Sequence, residues 1–305
     1  MNALARRLFA LLITLLAVHA AAFGLIRAAR GGPFDTERDF PPAVEAALRA
    51  QYHLDEPLLA QYWRSLSGIV QGDFGPSMRY RDVSVNRILA EALPVSASLG
   101  LAALLLAIAI GIPVGFLAAW HRNKAIDRTV LLGTTLFLSI PNFVLAGLAI
   151  SLFCFTFGLL PPAGTGSWRH LVLPSICLGL PFAAQLARLA RSSASDVLRG
   201  DSVRTAHAKG LPPSAIRRRH VLLPALPPLL AFLGPTAAAM LTGSLVIEQV
   251  FALPGLGTHF VQAALNRDYT LALGITVSYT ALLGLMTLLA DWLMAIVDPR
   301  LRSFT

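Results

Sequence analysis

The sequence is poor in charged residues and nearly lacks cysteine. Only 13% of its 305 residues are charged, and it contains two cysteines. A soluble domain usually carries about a quarter charged residues, so this deficit argues against a soluble fold. Cys154 and Cys177 both lie in apolar runs, and their spacing indicates neither a disulfide framework nor a metal site.

Sequence motifs that carry catalytic chemistry are missing as well. The chain has no G-x-x-x-x-G-K-[ST] phosphate loop, so we do not expect it to hydrolyse ATP by itself. It also lacks H-E-x-x-H, G-x-S-x-G and a spaced Cys/His set, which argues against a zinc or serine hydrolase. An intramembrane enzyme is a poor alternative, because no nucleophile–base pair or metal constellation is found. We therefore predict a non-catalytic chain that holds no metal and no cofactor.

Long apolar runs account for the missing charge. Several approach or exceed the roughly 20 residues that cross a bilayer as a helix. The predicted spans are Leu8–Ile26, Val95–Trp120, Thr129–Phe157, Leu171–Leu189, Ala225–Ile247 and Leu271–Val297. Prolines inside them predict kinked helices, which membrane bundles tolerate. The sequence thus predicts an all-α membrane protein with six transmembrane helices.

Basic residues are distributed unequally between the two sides that these spans define. With the amino terminus in the cytoplasm, the cytoplasmic segments carry 15 of the 25 Lys+Arg and 5 of the 16 Asp+Glu, a net charge of +10. The opposite side keeps 10 basic and 11 acidic residues, a net charge of −1. This asymmetry predicts that both termini are cytoplasmic. Because the excess positive charge is explained by topology, we do not expect nucleic-acid binding.

Two segments on the predicted outer side are too long to be simple turns. Residues 27–94 contain amphipathic stretches that predict helices, with Asp55 as a cap, Pro57 in the first turn that follows, and Ser84 as a second cap. Residues 248–270 contain Pro-Gly-Leu-Gly, which favours a sharp reversal. The apolar residues beside this reversal indicate a loop that dips back toward the membrane.

A strongly basic stretch, RTAHAKGLPPSAIRRRHVLLP, occupies residues 204–224. It holds five cations and two histidines around a Gly-Leu-Pro-Pro sequence. The composition predicts a helix from about Asp196 to Lys209 that ends at Gly210 in a left-handed cap. The prolines after it favour a second short helix over 214–221. A solvated loop would explain the charge, whereas two short helices at a fixed angle would form a compact knob for a partner.

These residues also carry a resemblance to a known family. RTAHAKGL followed by RRHVLLPALPPLL resembles the cytoplasmic coupling loop of ABC-importer permeases of the oligopeptide/dipeptide family. The similarity continues through YHLDEPLLAQY, GDFGPSMRYRDVSVN, VIEQVFALPGLGTHFVQAALNRDY and DWLMAIVDPRLR. It therefore runs along nearly the whole chain, from Arg6 to Arg302.

The resemblance implies a type I ABC importer permease fold with a helical periplasmic segment after the first span. Residues 1–94 would form that span and segment, and 95–305 the core permease domain with a coupling loop at about 196–222. The residues expected to contact an ATPase are Arg204, Thr205, Ala206, His207, Ala208, Lys209, Gly210, Arg217, Arg218 and His220. Those expected at a periplasmic gate or at the docking surface for a binding protein are Glu248, Pro254, Gly255, Gly257, Arg267 and Asp268.

The same resemblance implies oligopeptide import across the bacterial inner membrane. The expected partners are a second homologous permease subunit, two cytoplasmic ATPase subunits that use ATP and Mg²⁺, a periplasmic peptide-binding protein, the peptide itself and membrane lipids. Dipeptides, murein peptides or nickel are alternative cargoes within the family. An ion-coupled secondary transporter is the alternative from another class, although the midplane carboxylates typical of one are missing.

Overall fold

The computed structural model describes residues 3–28, 32–34, 41–80 and 82–297, and its regular structure is helical. The helices are α1 (Ala3–Ala28), α2 (Pro42–Gln51), α3 (Leu58–Val70), α4 (Val85–Trp120), α5 (Ala125–Ser139), α6 (Asn142–Ala149), α7 (Arg169–Leu198), α8 (Asp201–Ala208), α9 (Pro213–Ala215), α10 (Leu223–Val250), α11 (Leu256–Leu265) and α12 (Tyr269–Val297). Two π-helical segments, Ile150–Thr156 and Ile216–Leu222, continue α6 and α9. The helical fold class predicted from the sequence is confirmed.

Spatial contacts divide the chain into two units. The first unit comprises Met1–Ser96 and Pro254–Gly284, and the second comprises Ala97–Leu253 and Leu285–Thr305. This division follows packing and cuts through α4 and α12, so it differs from sequence domains at 1–94 and 95–305, which stay a prediction.

The first unit is held together by apolar side chains from helices that are distant in sequence. Val85 and Leu89 of α4, Leu256 of α11, and Leu271 and Ile275 of α12 are buried in one cluster. On the other side of α12, Phe23 of α1 packs with Leu273 and Val277, and Tyr62 of α3 packs against that group. Predicted helices in the 27–94 segment are confirmed as α2 and α3, which lie in this unit.

Within the described residues, five helices are long and apolar enough to cross a membrane, and a bent pair raises the number to six if it forms one span. The bent pair replaces the predicted single span Thr129–Phe157. Its two parts, Ala125–Ser139 and Asn142–Thr156, meet at 100°. Ile140 is extended there because the ring of the following Pro141 disfavours helical backbone at the preceding residue. Helices α7 and α10 continue through their internal prolines, and the kinks predicted there stay a prediction.

Small residues let α4 and α7 approach closely within the second unit. A methyl group added at Gly111 would lie 2.6 Å from the carbonyl oxygen of Ala183, and one at Gly115 would lie 2.6 Å from Cβ of Ala190. Glycines four residues apart lie on one helical face, an arrangement that brings membrane helices into backbone contact. Dispersion and interhelical packing thus hold this pair, because lipid supplies no hydrophobic drive between helices.

The structure confirms one predicted cap and corrects another. The hydroxyl oxygen of Ser84 accepts the backbone N–H of Arg87 at 3.3 Å, as expected for the residue before α4. Asp55 does not cap α3, because Pro57 occupies the capping position and the Asp55 carboxylate accepts a hydrogen bond from Nε of Arg49 at 2.9 Å. The Asp55 carboxylate therefore pairs with Arg49 of α2 instead of capping α3.

Candidate functional site

The basic stretch folds into a compact element that we call the basic knob, residues 201–222. Val203 and Ala206 of α8 are buried on the side that contacts the π-helical segment, where Ile216 and Val221 are also buried. The residues between them point outward. Those exposed on α8 and just after it are Asp201, Ser202, Arg204, Thr205, His207, Ala208, Lys209 and Gly210. The knob is therefore anchored by small apolar side chains and leaves its polar side accessible.

The end of α8 has the geometry predicted for Gly210. Gly210 has φ +72°, and its N–H donates to the carbonyl of His207 at 2.9 Å. The N–H of Leu211 donates to the carbonyl of Ala206 at 3.2 Å. These two bonds form a Schellman cap, which needs a left-handed residue at this position. The predicted left-handed helix end is confirmed.

Two boundaries of the knob differ from the sequence expectation. Residues 196–198 belong to the end of α7, so the first helix of the knob is limited to Asp201–Ala208 after a break at Gly200. The predicted second short helix over 214–221 is not separate. It begins at Pro213 and continues through the π-helical segment into α10, because no residue there interrupts the helical backbone. The knob is thus joined directly to a long apolar helix.

The basic side chains of the knob form few contacts with other residues of the knob. Arg204 forms an ion pair at 3.5 Å with Asp201, and both side chains are mostly exposed. Such exposed pairs contribute little, so Arg204 is available to a partner. The guanidinium of Arg217 stacks over the ring of Trp120 at 5.6 Å, which links the knob to the end of α4. Arg218 is exposed and His220 is half-buried.

The predicted outer loop contains a carboxylate that is fully engaged inside the first unit. Asp268 is buried and accepts backbone hydrogen bonds from Met78 at 3.1 Å and from Leu271 at 3.1 Å. It also accepts the hydroxyl of Ser77. Asp268 thereby caps α12 and fixes the chain at 77–79. Its carboxylate therefore acts in packing, and a docking role for it would require this network to open.

Tyr52, the residue that follows α2, contacts the same loop. Its hydroxyl donates to the carbonyl of Ser77 at 2.8 Å. Burial raises the pKa of this phenol, and the nearby carboxylates of Asp268 and Asp82 raise it further. Tyr52 therefore remains a neutral hydrogen-bond donor, which suits its bond to a carbonyl oxygen.

The other residues predicted for the gate have different surroundings. Pro254 is exposed and Arg267 is half-buried, whereas Gly255 and Gly257 are buried in the first unit at the start of α11. Glu248, in the second unit, is buried and accepts the hydroxyl of Ser244 at 2.7 Å. The gate and docking role of these residues stays a prediction.

A buried ion pair in the second unit is a feature that the sequence analysis missed. Nη2 of Arg191 in α7 donates to Oδ2 of Asp127 in α5 at 2.8 Å, and Nε of Arg191 donates to Oδ1. The backbone N–H of Asn123 donates to the same carboxylate at 2.8 Å. Asp127 is 1% exposed. An acidic residue flanked by Arg122, Lys124 and Arg128 was the only signal in the sequence, and charge counting alone does not reveal burial.

Within the parts of the chain that the structure describes, no three His, Cys, Asp or Glu side chains come together as metal ligands. The absence of a cofactor from this chain stays a prediction.

Side-chain hydrogen bonds connect three helices of the second unit, α5, α7 and α10. Besides the Asp127–Arg191 pair between α5 and α7, the hydroxyl of Ser193 in α7 donates to the carbonyl of Ala225 in α10 at 3.0 Å.

Comparison with known proteins finds similarity along almost the whole chain. The family described as binding-protein-dependent transport system inner membrane component matches residues 111–303. The oligopeptide transport system permease protein OppB of Salmonella typhimurium (strain LT2) is 42% identical over 299 residues, 97% of this chain and 98% of that relative. The dipeptide transport system permease protein DppB of Bacillus subtilis (strain 168) is 41% identical over 297 residues, 97% of this chain and 96% of that relative.

Solved structures show the same fold at lower identity. The inward-facing MetNI methionine ABC transporter aligns with a TM-score of 0.60 at 21% identity, covering 69% of this chain and 96% of that chain. An amino acid ABC transporter aligns with a TM-score of 0.51 at 17% identity, covering 70% of this chain and 94% of that chain. These alignments confirm the predicted type I ABC importer permease fold.

Proposed function

Because the chain belongs to the family of binding-protein-dependent transport system inner membrane components, we propose that it is one of two permease subunits of an ATP-driven oligopeptide importer. The observation that carries this proposal is 42% identity over 97% of the chain to an oligopeptide permease protein. The chain forms half of the translocation path, and the second half comes from a homologous permease. Cargo selection by a separate binding protein leaves dipeptides, murein peptides and nickel as alternatives.

ATP hydrolysis in this importer is carried out by other subunits. Two cytoplasmic ATPase subunits bind ATP and Mg²⁺, and a periplasmic peptide-binding protein delivers the cargo. The lack of a phosphate loop in this chain supports that division of labour. The +10 charge on one side of the spans supports placing the basic knob and both termini in the cytoplasm.

The basic knob is the attachment point for one ATPase. Its outward side presents Arg204 and His207 on α8 and Lys209 at the end of that helix, and the opposite side of α8 packs onto the π-helical segment. Movement of the ATPase then displaces α8 as a lever. Because the π-helical segment is continuous with α10, and α7 is bonded to both α10 and α5, the displacement reaches three helices of the second unit.

An ion-coupled secondary transporter would need no ATPase subunits, whereas the proposed importer does. Co-purification tests that difference. The tagged chain is co-expressed with the proteins encoded by its neighbouring genes, the candidates for the second permease and the ATPase subunits, then purified in mild detergent. We expect both ATPase subunits to co-elute in stoichiometric amounts with the two permeases. Elution of the chain without any ATPase, from a sample in which its helices remain folded, would contradict the proposal.

A further inference from the structure

The first unit contains a cavity whose location is fixed by α1. Arg27 lies in the last turn of this apolar helix, about 20 residues beyond Arg7. At 1.5 Å per residue the two side chains are separated by about 30 Å along the helix axis, which is the thickness of the hydrocarbon core. Arg27 therefore lies at the headgroup level of one leaflet when Arg7 lies at that of the other. This argument holds whichever way the chain is oriented.

The guanidinium of Arg27 is held in place by two aromatic rings. It lies 5.2 Å from the ring centre of Phe23 and 5.4 Å from that of Tyr269. Among the residues that the structure describes, no hydrogen bond or ion pair to this half-buried side chain is formed. A half-buried guanidinium normally has an anionic or carbonyl partner, because its donors lose water when they are covered. The side chain is therefore positioned for an external anion.

A second polar group in the same cavity is incompletely satisfied. Gln61 lines the cavity and is 6% exposed. Its Nε2 donates to the carbonyl oxygens of Glu56 at 2.7 Å and Leu54 at 3.0 Å, which fixes the orientation of the amide. Its Oε1 has no hydrogen-bond partner. A buried acceptor of this kind is costly unless a donor reaches it, so the cavity suits a ligand that also carries a donor.

The size and lining of the cavity restrict the ligand further. Its volume is about 250 Å³, and apolar side chains of α1, α3 and α12 line it together with polar ones that include Arg27, Gln61, Arg64 and Asp73. Such a space accommodates a polar headgroup with its glycerol carbons but not a complete two-chain lipid. The outward side of α1 remains apolar and exposed, as at Leu25, so acyl chains would run along it.

We propose that this cavity binds the headgroup of a membrane phospholipid that carries a hydrogen-bond donor, such as phosphatidylethanolamine. The phosphodiester is bound by the guanidinium of Arg27, in the planar geometry that favours oxyanions. The ammonium group donates to Oε1 of Gln61. A choline headgroup has no N–H, so it satisfies the first contact but not the second. The site lies in the first unit and the basic knob belongs to the second, and the inference does not depend on the cargo.

Native mass spectrometry of the purified chain with added lipids of matched acyl chains tests this site. We expect the wild-type protein to retain phosphatidylethanolamine about tenfold more than phosphatidylcholine, the change that one charge-assisted hydrogen bond produces. Gln61→Leu should remove the preference between the two lipids, and Arg27→Gln should lower the retention of both. Arg49→Gln is the matched control, because Arg49 lies in the same unit with Asp55 and Glu45 as partners and does not line the cavity.

Soluble competitors identify the source of the phosphate. Glycerophosphoethanolamine should displace the bound lipid, whereas inorganic phosphate at the same concentration should not. Equal displacement by inorganic phosphate would assign the site to a soluble anion and overturn the lipid proposal. The proposal would also be overturned if Arg27→Gln retained each of the two lipids as well as the wild-type protein does. If Arg27→Gln fails to fold by circular dichroism, Arg27→Lys, which keeps the charge without the planar fork, should still retain less lipid than wild type.

Discussion

We expect replacement of Gly210 by proline to abolish ATP-driven uptake and to release the ATPase subunits from the complex. Proline has φ near −65° and no N–H, whereas Gly210 has φ +72° and donates to the carbonyl of His207. Proline therefore cannot form this cap, and a loss of about 1.4 kcal/mol in ATPase binding is enough for a tenfold change. We therefore expect at least a tenfold fall in the ATPase that co-elutes with the permease, measured by quantitative gel densitometry.

Gly210→Asn is the matched control for this change. Asparagine tolerates the left-handed conformation and keeps the N–H, so most of the ATPase should remain bound. Gly210→Ala should fall between the two, because a left-handed alanine costs about 1–2 kcal/mol. If ATPase binding and uptake persist in Gly210→Pro, the assignment of residues 204–210 as the coupling element is wrong.

Asp127→Ala produces the largest loss of stability that we expect from a single change in the second unit. It leaves the guanidinium of Arg191, whose side chain is 20% exposed, without its carboxylate and the N–H of Asn123 without its acceptor. Removing one partner of a buried pair costs about 3–5 kcal/mol, and the partial exposure of Arg191 favours the lower end. The Tm of the purified permease in detergent should fall by about 6 °C or more.

Two further variants separate the ion pair from general damage. Asp127→Ala combined with Arg191→Ala should recover part of the lost Tm, because neither charge is then buried alone. Asp201→Ala removes an exposed carboxylate whose pair with Arg204 is solvated, and it should cost less than about 1 kcal/mol. If the loss of Tm in the double variant equals the sum of the losses in Asp127→Ala and Arg191→Ala, the two side chains act independently and the ion pair does not explain the effect.

The sequence predicted those features that depend on local backbone chemistry. Gly210 was identified from the stereochemistry of helix ends, and Ser84 from its position before an apolar helical run. Pro141 belongs with them in part, since prolines in the spans predicted kinks, but the pattern did not show that the chain bends by 100° at this proline while α7 and α10 continue through theirs.

Features that depend on distant contacts could not be predicted in the same way. Asp127 meets Arg191 across 64 positions of sequence, and Asp268 meets the 77–79 loop across about 190. The resemblance implied a gate or docking role for Asp268, which stays a prediction, but it gave no sign that the carboxylate is buried as a helix cap. The prediction for Asp55 failed for the same reason. The local pattern predicts a helix cap, but the side chain pairs with Arg49 in the folded chain.

Uptake of a labelled oligopeptide into proteoliposomes tests most directly whether this permease works with an ATPase. The reconstituted complex contains both permeases and both ATPase subunits, the binding protein is supplied outside, and ATP is enclosed inside. We predict accumulation that requires ATP and is unchanged when ionophores dissipate every ion gradient. Accumulation that persists without ATP and collapses when an ion gradient is removed would contradict the account.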